Sequence, residues 1–355
     1  MFVGTSAGAV NASLFAAVAR EDPHQGAERV LSVWRSLSLQ QVFRSPLVSV
    51  PLRTVPRYLG QFLGVRGARV TSLLDTSPLR PTATALFAQH AQALHDNIHG
   101  PSPVLDALAV VATDDRDRST VFADLRDGIP LPETEPTRAI DYRRASVSVE
   151  HVLASSAIPA LFAPVRVDGR WYMDGGVRLN VPLKPAIALG AGELAVVATH
   201  PSTYPVKAPA TPAVQPDVVA GIVAALDAVL ADRMVEDLHT LEKINSLVAP
   251  DRMRNQHLRI PYVFVGPSTR DELGELAAEV YRQRFHGLGG LREPDLWVLE
   301  HLIGPREHGA GDLLSYLFFD QSFIEAAIAL GIADAQRVIG TRDAWTTGPV
   351  SSARG

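Results

Sequence analysis

Two short apolar runs constrain the fold of this 355-residue chain more than any other feature. Residues 106–113 read DALAVVAT and residues 193–199 read ELAVVAT, and neither run alternates between apolar and polar side chains. Such continuous apolar stretches are typical of strands that helices cover on both faces, most often in parallel sheets. We therefore predict an α/β fold, a three-layer α/β/α sandwich with a mainly parallel sheet.

A proline-rich segment divides the chain. Five of the residues in 201–216 are prolines, a composition typical of a linker or an extended surface loop. Helical patterns dominate beyond it. We therefore predict an α/β domain at residues 1–200, a linker at 201–216 and a mostly helical C-terminal region at 217–355.

Composition excludes several classes of function. The chain has no cysteine, which excludes disulfides, thiolate zinc sites and thiol nucleophiles. Its net charge of −5 offers no basic face, so we expect no nucleic-acid partner. The first residues lack the features of a signal peptide, and no uncharged apolar run reaches membrane-spanning length. We expect a cytoplasmic protein that needs no metal or cofactor, and the sequence leaves its oligomeric state open.

The residues at positions 4–8, GTSAG, match the pattern G-x-S-x-G. An apolar stub precedes them and an Ala-rich, helix-prone segment follows, which predicts a strand, a sharp turn and a helix. Such an elbow exposes its serine, and we expect Gly4 and Gly8 to be small because neighbouring backbone crowds the turn. Ser6 is thus a candidate nucleophile and the N–H of Ala7 a candidate oxyanion donor. An ordinary tight turn before a helix fits this short pattern equally well.

A second motif places an acidic residue at the end of a predicted strand. Residues 165–173 read VRVDGRWYM, which predicts two strand-like arms around an Asp-Gly turn. The second arm leads to Asp174, and we expect Gly175 and Gly176 to turn the backbone away with positive φ. The carboxylate would then stay at the strand's end. The alternative is a carboxylate in an ordinary loop, since Asp-Gly pairs are common in turns.

Together these motifs resemble a known family. Residues 4–12 (GTSAGAVNA) and 153–182 (LASSAIPALFAPVRVDGRWYMDGGVRLNVP) are similar to the two signatures of patatin-like proteins. Residues 73–79 (LLDTSPL) and 106–114 are similar to other segments of that family. The resemblance extends over about the first 200 residues.

The resemblance implies a three-layer fold and a lipid acyl ester hydrolase of the phospholipase A or lysophospholipase type. It implies a Ser-Asp dyad in which Ser6 is the nucleophile, Asp174 is its base and Ala7 supplies one oxyanion donor. Catalysis would pass through an acyl-serine that water hydrolyses. The implied partner is a lipid or acyl ester substrate, with possible peripheral membrane contact.

The sequence departs from this family before the elbow. Patatin-like proteins carry a first strand and a glycine-rich loop there, and that loop supplies most oxyanion donors. Residues 1–3 are also shorter than a typical strand of about five residues, so we expect the natural start to lie upstream. Losing one oxyanion donor costs about a hundredfold to a thousandfold in turnover. A catalytically impaired domain that binds lipid or protein is therefore an alternative.

Two other enzymes remain open alternatives. An acyltransferase on a related fold would pass the acyl group from serine to an alcohol or a thiol. A conventional α/β-hydrolase would pair Ser6 with a downstream histidine, but its elbow follows several earlier strands, for which position 6 leaves no room. The candidate histidines of that triad are His200, His239, His257, His286, His301 and His308.

The irregular segment 45–74 mixes apolar residues with arginines. This pattern predicts a lid that lies on anionic lipid, or a cap whose arginines extend towards water over the site's entrance. The arginines in question are Arg53, Arg57, Arg66 and Arg69.

Overall fold

The computed structural model describes residues 1–45, 55–63, 65, 71–202, 238–243, 245–247, 259–285, 310–340 and 345–346. The predicted α/β/α sandwich, followed by a helical C-terminal region, is confirmed. Most of the predicted linker lies outside the described residues, so the division of the chain at 201–216 stays a prediction. In the described part of the chain, no helix combines the length and the apolar composition that a bilayer crossing requires.

Five described helices follow the first strand, and the other described strands come after them. The strands of the described residues are β1 (Phe2–Thr5), β2 (Ala107–Asp114), β3 (Ser119–Leu125), β4 (Ile140–Arg144), β5 (Val165–Val167), β6 (Arg170–Asp174), β7 (Leu194–Val197) and β8 (Tyr262–Val265). The helices are α1 (Ala7–Ala17), α2 (Pro23–Ser36), α3 (Leu39–Val42), α4 (Val55–Phe62), α5 (Leu79–His99), α6 (Val149–Ser155), α7 (Leu183–Ala188), α8 (Glu272–Phe285), α9 (Ala310–Leu317) and α10 (Gln321–Ile339).

The main sheet is mixed and is organised around β2. Its strand order is β4-β3-β2-β6-β5, and β1 also pairs with β2. The β1–β2 and β3–β4 pairs are parallel, whereas β2–β3, β2–β6 and β5–β6 are antiparallel. The β5–β6 hairpin turns at Asp168 and Gly169, whose φ angles of 47° and 83° are both positive, as a tight hairpin turn of this type requires. A separate parallel pair joins β7 to β8.

The register of β1 and β6 brings their ends together. Thr5 at the end of β1 pairs with Val111, and Asp174 at the end of β6 pairs with Ala112, the next residue of β2. β1 runs parallel to β2 and β6 runs antiparallel to it, so the two strands approach each other along one edge of β2. Ser6, which follows β1, therefore lies beside Asp174.

Both faces of β2 are buried, which explains its continuous apolar sequence. Every residue of the strand is buried, and successive side chains point to opposite faces. Leu108 and Val110 pack with residues of α1, α5 and α6. Ala109 and Val111 pack on the other face with Leu179 and with apolar residues of β3 and β4.

The C-terminal helices pack onto the first part of the chain. One apolar cluster joins Phe43, Leu74 and Phe162 to Tyr281 of α8 and Phe318, which follows α9. Three non-helical residues, 318–320, separate α9 from α10. Asp320 caps α10 by accepting a hydrogen bond from the N–H of Ser322 at 2.9 Å.

Candidate active site

The predicted strand, turn and helix form around Ser6. Its backbone has φ 54° and ψ −127°, a conformation that residues other than glycine seldom adopt. Holding such a residue costs roughly 1–3 kcal/mol, so the surroundings must stabilise it. Strained serines of this kind present their hydroxyl at the end of the sheet.

Gly4 is required by close packing inside the elbow. A Cβ atom on Gly4 would lie 2.1 Å from the carbonyl oxygen of Gly8, far inside van der Waals contact. A Cβ on Gly8 would meet nothing within 4 Å. The prediction that crowding selects small residues on both sides of Ser6 is therefore right for Gly4 and wrong for Gly8.

A buried serine that the sequence analysis did not identify holds the elbow in place. The N–H of Ser6 donates a hydrogen bond to Ser155 Oγ at 2.8 Å, and the Ser155 hydroxyl donates to the carbonyl oxygen of Val111 at 2.6 Å. Ser155 is the last residue of α6 and is wholly buried. Its hydroxyl thus connects the strained elbow to β2. The only sequence signal for this role is its place in the ASSAIP segment.

Asp174 accepts the Ser6 hydroxyl directly. Ser6 Oγ donates to Asp174 Oδ2 at 2.6 Å, and the N–H of Gly176 donates to Asp174 Oδ1 at 2.7 Å. The backbone of Asp174 is fixed as well, because its N–H donates to the Ala157 carbonyl at 2.9 Å and its own carbonyl accepts the Thr113 hydroxyl at 3.0 Å. The carboxylate therefore has little freedom to leave the serine.

Burial changes the acidity of this carboxyl group. Asp174 is almost entirely inaccessible to solvent, and loss of hydration raises its pKa from 3.8 to about 6. The hydrogen bonds from Ser6 and Gly176 act in the opposite direction and lower the pKa. A carboxylate with a raised pKa is a better base towards a hydroxyl than an exposed one.

The glycines after Asp174 do not turn the chain as predicted. The positive-φ glycines of the described residues are Gly128, Gly169 and Gly190, so the expected positive φ at Gly175 and Gly176 is wrong. The chain instead enters a short 3₁₀ turn, Gly175–Val177. A Cβ on Gly175 would lie 2.2 Å from the Val111 carbonyl oxygen, so glycine is needed there for close approach to β2.

Ala7 begins α1 next to the serine. The first N–H groups of a helix have no carbonyl partner within it, and those of Ala7 and Gly8 belong to exposed residues. The first turn of α1 contains no acidic residue of its own, and the positive end of the helix dipole points towards Ser6. This end of α1 therefore suits a developing negative charge beside Ser6.

Among the described residues, no histidine side chain lies between the Ser6 hydroxyl and the Asp174 carboxylate. Of the histidines considered for a triad, His200 and His239 belong to the described residues, and the other four lie outside them. Within the described residues, no group of three or more His, Asp or Glu side chains is arranged to hold a metal ion.

A family model described as patatin-like phospholipase matches residues 1–187, which is more than half of the chain and includes both Ser6 and Asp174. No curated protein matches the chain.

Proposed function

Because the chain belongs to the patatin-like phospholipase family, whose members are in general lipid acyl hydrolases, we propose that it hydrolyses acyl esters of lipids through Ser6 and Asp174. The observation that carries the proposal is the 2.6 Å hydrogen bond from Ser6 Oγ to Asp174 Oδ2. The substrate class is that of a phospholipase A or a lysophospholipase.

The first half of the reaction acylates the serine. Ser6 Oγ attacks the ester carbonyl carbon as its proton passes to Asp174 Oδ2, and negative charge develops on the carbonyl oxygen. The N–H of Ala7 stabilises this oxyanion at the positive end of α1. When the carbon–oxygen bond to the alcohol breaks, Asp174 returns the proton to the leaving oxygen, and an acyl-serine remains.

The second half releases the acid. A water molecule attacks the acyl carbon while Asp174 takes one of its protons. Collapse of this intermediate breaks the bond to Ser6 Oγ, and Asp174 gives the proton back to that oxygen. The dyad returns to its starting state, with a fatty acid as the second product.

Ser155 acts in this proposal as a positioning residue. It touches no reacting atom, but it accepts the Ser6 N–H and thereby holds the nucleophile in its strained conformation. Gly176 has a comparable role for Asp174, because its N–H fixes the carboxylate with Oδ2 towards Ser6.

The proposal is tested with a fluorophosphonate probe and a p-nitrophenyl ester. We expect labelling at Ser6 and ester hydrolysis in the unaltered chain, and loss of both in Ser6→Ala. Ser13→Ala is a matched control, since Ser13 lies in α1 and its hydroxyl donates to its own helix, at the Ala9 carbonyl. A well-folded chain that neither reacts with the probe nor hydrolyses the ester would contradict the proposal. Formation of a transesterified product on addition of an alcohol would favour the acyltransferase alternative.

We also propose that the region around α4 contacts lipid membranes peripherally. Several apolar side chains are exposed here, including Leu63 at 75%, Val65 at 57% and Leu73 at 49%, and Arg57 lies among them. Apolar side chains beside a cation favour binding to anionic bilayers. Of the four arginines considered for a lid, Arg57 belongs to the described residues.

Liposome co-sedimentation tests this contact. Leu63→Ser combined with Val65→Ser should reduce binding to anionic vesicles. Val197→Ser, which removes an equally exposed apolar side chain from β7, should leave binding unchanged. Equal binding of all three proteins would contradict the proposed contact.

A further inference from the structure

A cavity of about 500 Å³ lies beside the proposed active site, and its lining includes neither Ser6 nor Asp174. Its walls come from α4, the segment 71–80, α6 and the residues that lead into β5. Ligand pockets for small molecules have volumes of about 300–1,000 Å³. The cavity is therefore large enough for a small ligand and lies at the lower end of that range.

The inner wall of the cavity is apolar. Leu74, Leu153, Ala157 and Phe162 line it, and each of these residues is buried. Alkyl groups placed against such a wall leave water, which stabilises the bound state in proportion to the area buried. This wall suits a hydrocarbon chain.

The rim of the cavity has more positive than negative charge available to a ligand. Arg57 and Arg80 both line it. Arg80 forms an ion pair with Glu150, but about half of its side chain is exposed, and Arg57 pairs with no carboxylate of the described residues. The acidic lining residue, Asp75, already accepts the N–H of Ser77 at 3.1 Å and lies 3.9 Å from Arg44.

The cavity and the Ser6–Asp174 pair share one helix and its continuation. Leu153 of α6 lines the cavity, and Ser155, two residues later, accepts the Ser6 N–H. Ala157 also lines the cavity, and its carbonyl accepts the Asp174 N–H. One lining residue is therefore hydrogen-bonded to Asp174, and another lies two positions from the serine that holds Ser6.

We propose that this cavity binds a single-chain amphiphile with an anionic head group, a phosphate or a carboxylate. The alkyl chain packs against the wall of Leu153 and Phe162, and Arg57 and Arg80 donate hydrogen bonds to the head. If the chain hydrolyses lipid esters as proposed, the amphiphile is a substrate or product of that reaction, either a one-chain lipid phosphate or a released fatty acid. Only this identification rests on the proposed function.

Calorimetry on the full chain carrying Ser6→Ala measures binding without turnover. A failure of this inference can therefore be distinguished from a failure of the proposed function. The probes are octyl phosphate, octanoate, octyl glucoside and inorganic phosphate, each below its micelle concentration. We expect octyl phosphate or octanoate to bind at least about tenfold more tightly than octyl glucoside, because a charged hydrogen bond contributes about one power of ten or more in affinity.

The outcomes distinguish the possible ligands. Tighter binding of octyl phosphate than of octanoate identifies a lipid phosphate, and the reverse order identifies a fatty acid. Equal affinity for octyl glucoside would overturn the inference, as would inorganic phosphate binding as tightly as octyl phosphate.

Variants locate the site. Arg57→Gln with Arg80→Gln should weaken binding of the anionic amphiphile by at least about tenfold. Arg29→Gln is the matched control, because Arg29 is also an exposed arginine in an ion pair, with Glu21, and should leave binding unchanged. Ala163→Trp, which fills the cavity from a partly exposed position, should also prevent binding without removing charge. Unchanged affinity in both the double variant and Ala163→Trp, with melting temperatures close to that of the parent, would overturn the assignment.

Discussion

The N–H of Ser6 lies 2.8 Å from Ser155 Oγ, and this hydrogen bond connects residues 149 positions apart in the chain. The same hydroxyl donates to the Val111 carbonyl of β2. The strained elbow is therefore held by a buried side chain on another helix as well as by its own glycine. The correct orientation of the proposed nucleophile depends on α6 packing onto the sheet.

Replacing Ser155 tests this dependence. Ser155→Ala leaves the Ser6 N–H and the Val111 carbonyl without their partner, so we expect stability to fall by about 1–3 kcal/mol. We expect kcat to fall by about tenfold to a hundredfold with little change in KM, because small displacements of a nucleophile slow the chemical step. Steady-state kinetics and chemical denaturation measure the two effects.

Ser156→Ala is the control, since the Ser156 hydroxyl has no hydrogen-bond partner among the described residues. If Ser156→Ala lowered kcat and stability as much as Ser155→Ala does, the positioning role of Ser155 would be contradicted.

The pH dependence of hydrolysis should report the acidity of Asp174. Only its ionised form accepts the Ser6 proton, and burial raises its pKa to about 6. We expect kcat/KM to fall about tenfold per pH unit below that value, because a single group becomes protonated. A pH–rate profile with a water-soluble ester measures this limb. An acidic limb centred near pH 4, the range of an exposed carboxyl group, would contradict a buried base.

The same pKa shift predicts how stability depends on pH. Asp174 has a higher pKa in the folded chain than in the unfolded chain. Its contribution to the free energy of unfolding is therefore most favourable below about pH 4 and is lost as the pH rises through about 6. The loss amounts to about 3 kcal/mol, since each pKa unit corresponds to about 1.4 kcal/mol.

Asp174→Asn removes this ionisation while keeping the shape of the side chain. The stability of the variant relative to the parent should therefore increase between pH 4 and pH 7, while its hydrolytic activity falls by about a hundredfold to ten-thousandfold. Denaturation curves of both proteins at a series of pH values measure the difference. If the two proteins keep a constant difference in unfolding free energy across this range, the raised pKa is wrong.

Gly175 should tolerate no side chain. The Cβ of Gly175→Ala would overlap the Val111 carbonyl oxygen, so we expect a loss of about 1–3 kcal/mol in stability, with a shift of Asp174 that lowers activity. Gly331→Ala in α10 is the control, because a Cβ there meets open space and alanine favours a helix. Thermal unfolding and ester hydrolysis of both variants provide the comparison. Equal activity in the two would show that the close approach at Gly175 has no functional importance.

Local features of the sequence were sufficient to predict much of the fold. The Asp-Gly turn at residues 168–169 and the apolar run of β2 depend on backbone preferences and burial within a few residues, and both were predicted correctly. Strand β4 was not predicted, because its sequence, IDYRR, is short and largely polar. The sequence could also nominate Ser6 and Asp174, through their motifs.

The relationships between distant segments could not be predicted in this way. The hydrogen bond to Ser155 depends on how α6 packs against β2, and the ASSAIP segment does not by itself specify that contact. Gly175 was assigned a positive φ because that is the usual reason for a glycine in a turn. Its actual reason is the proximity of Val111 in another strand, which only the three-dimensional arrangement reveals.

The meeting of β1 and β6 on adjacent residues of β2 makes the separation between positions 6 and 174 independent of the lengths of the loops that connect them. Insertions in those loops can accumulate without moving either side chain. A slip of β6 by one residue along β2, in contrast, would displace Asp174 by about 3.3 Å and turn its carboxylate to the opposite face of the sheet. If the chain hydrolyses esters as proposed, that activity would serve as an all-or-none assay for correct alignment of its central strands.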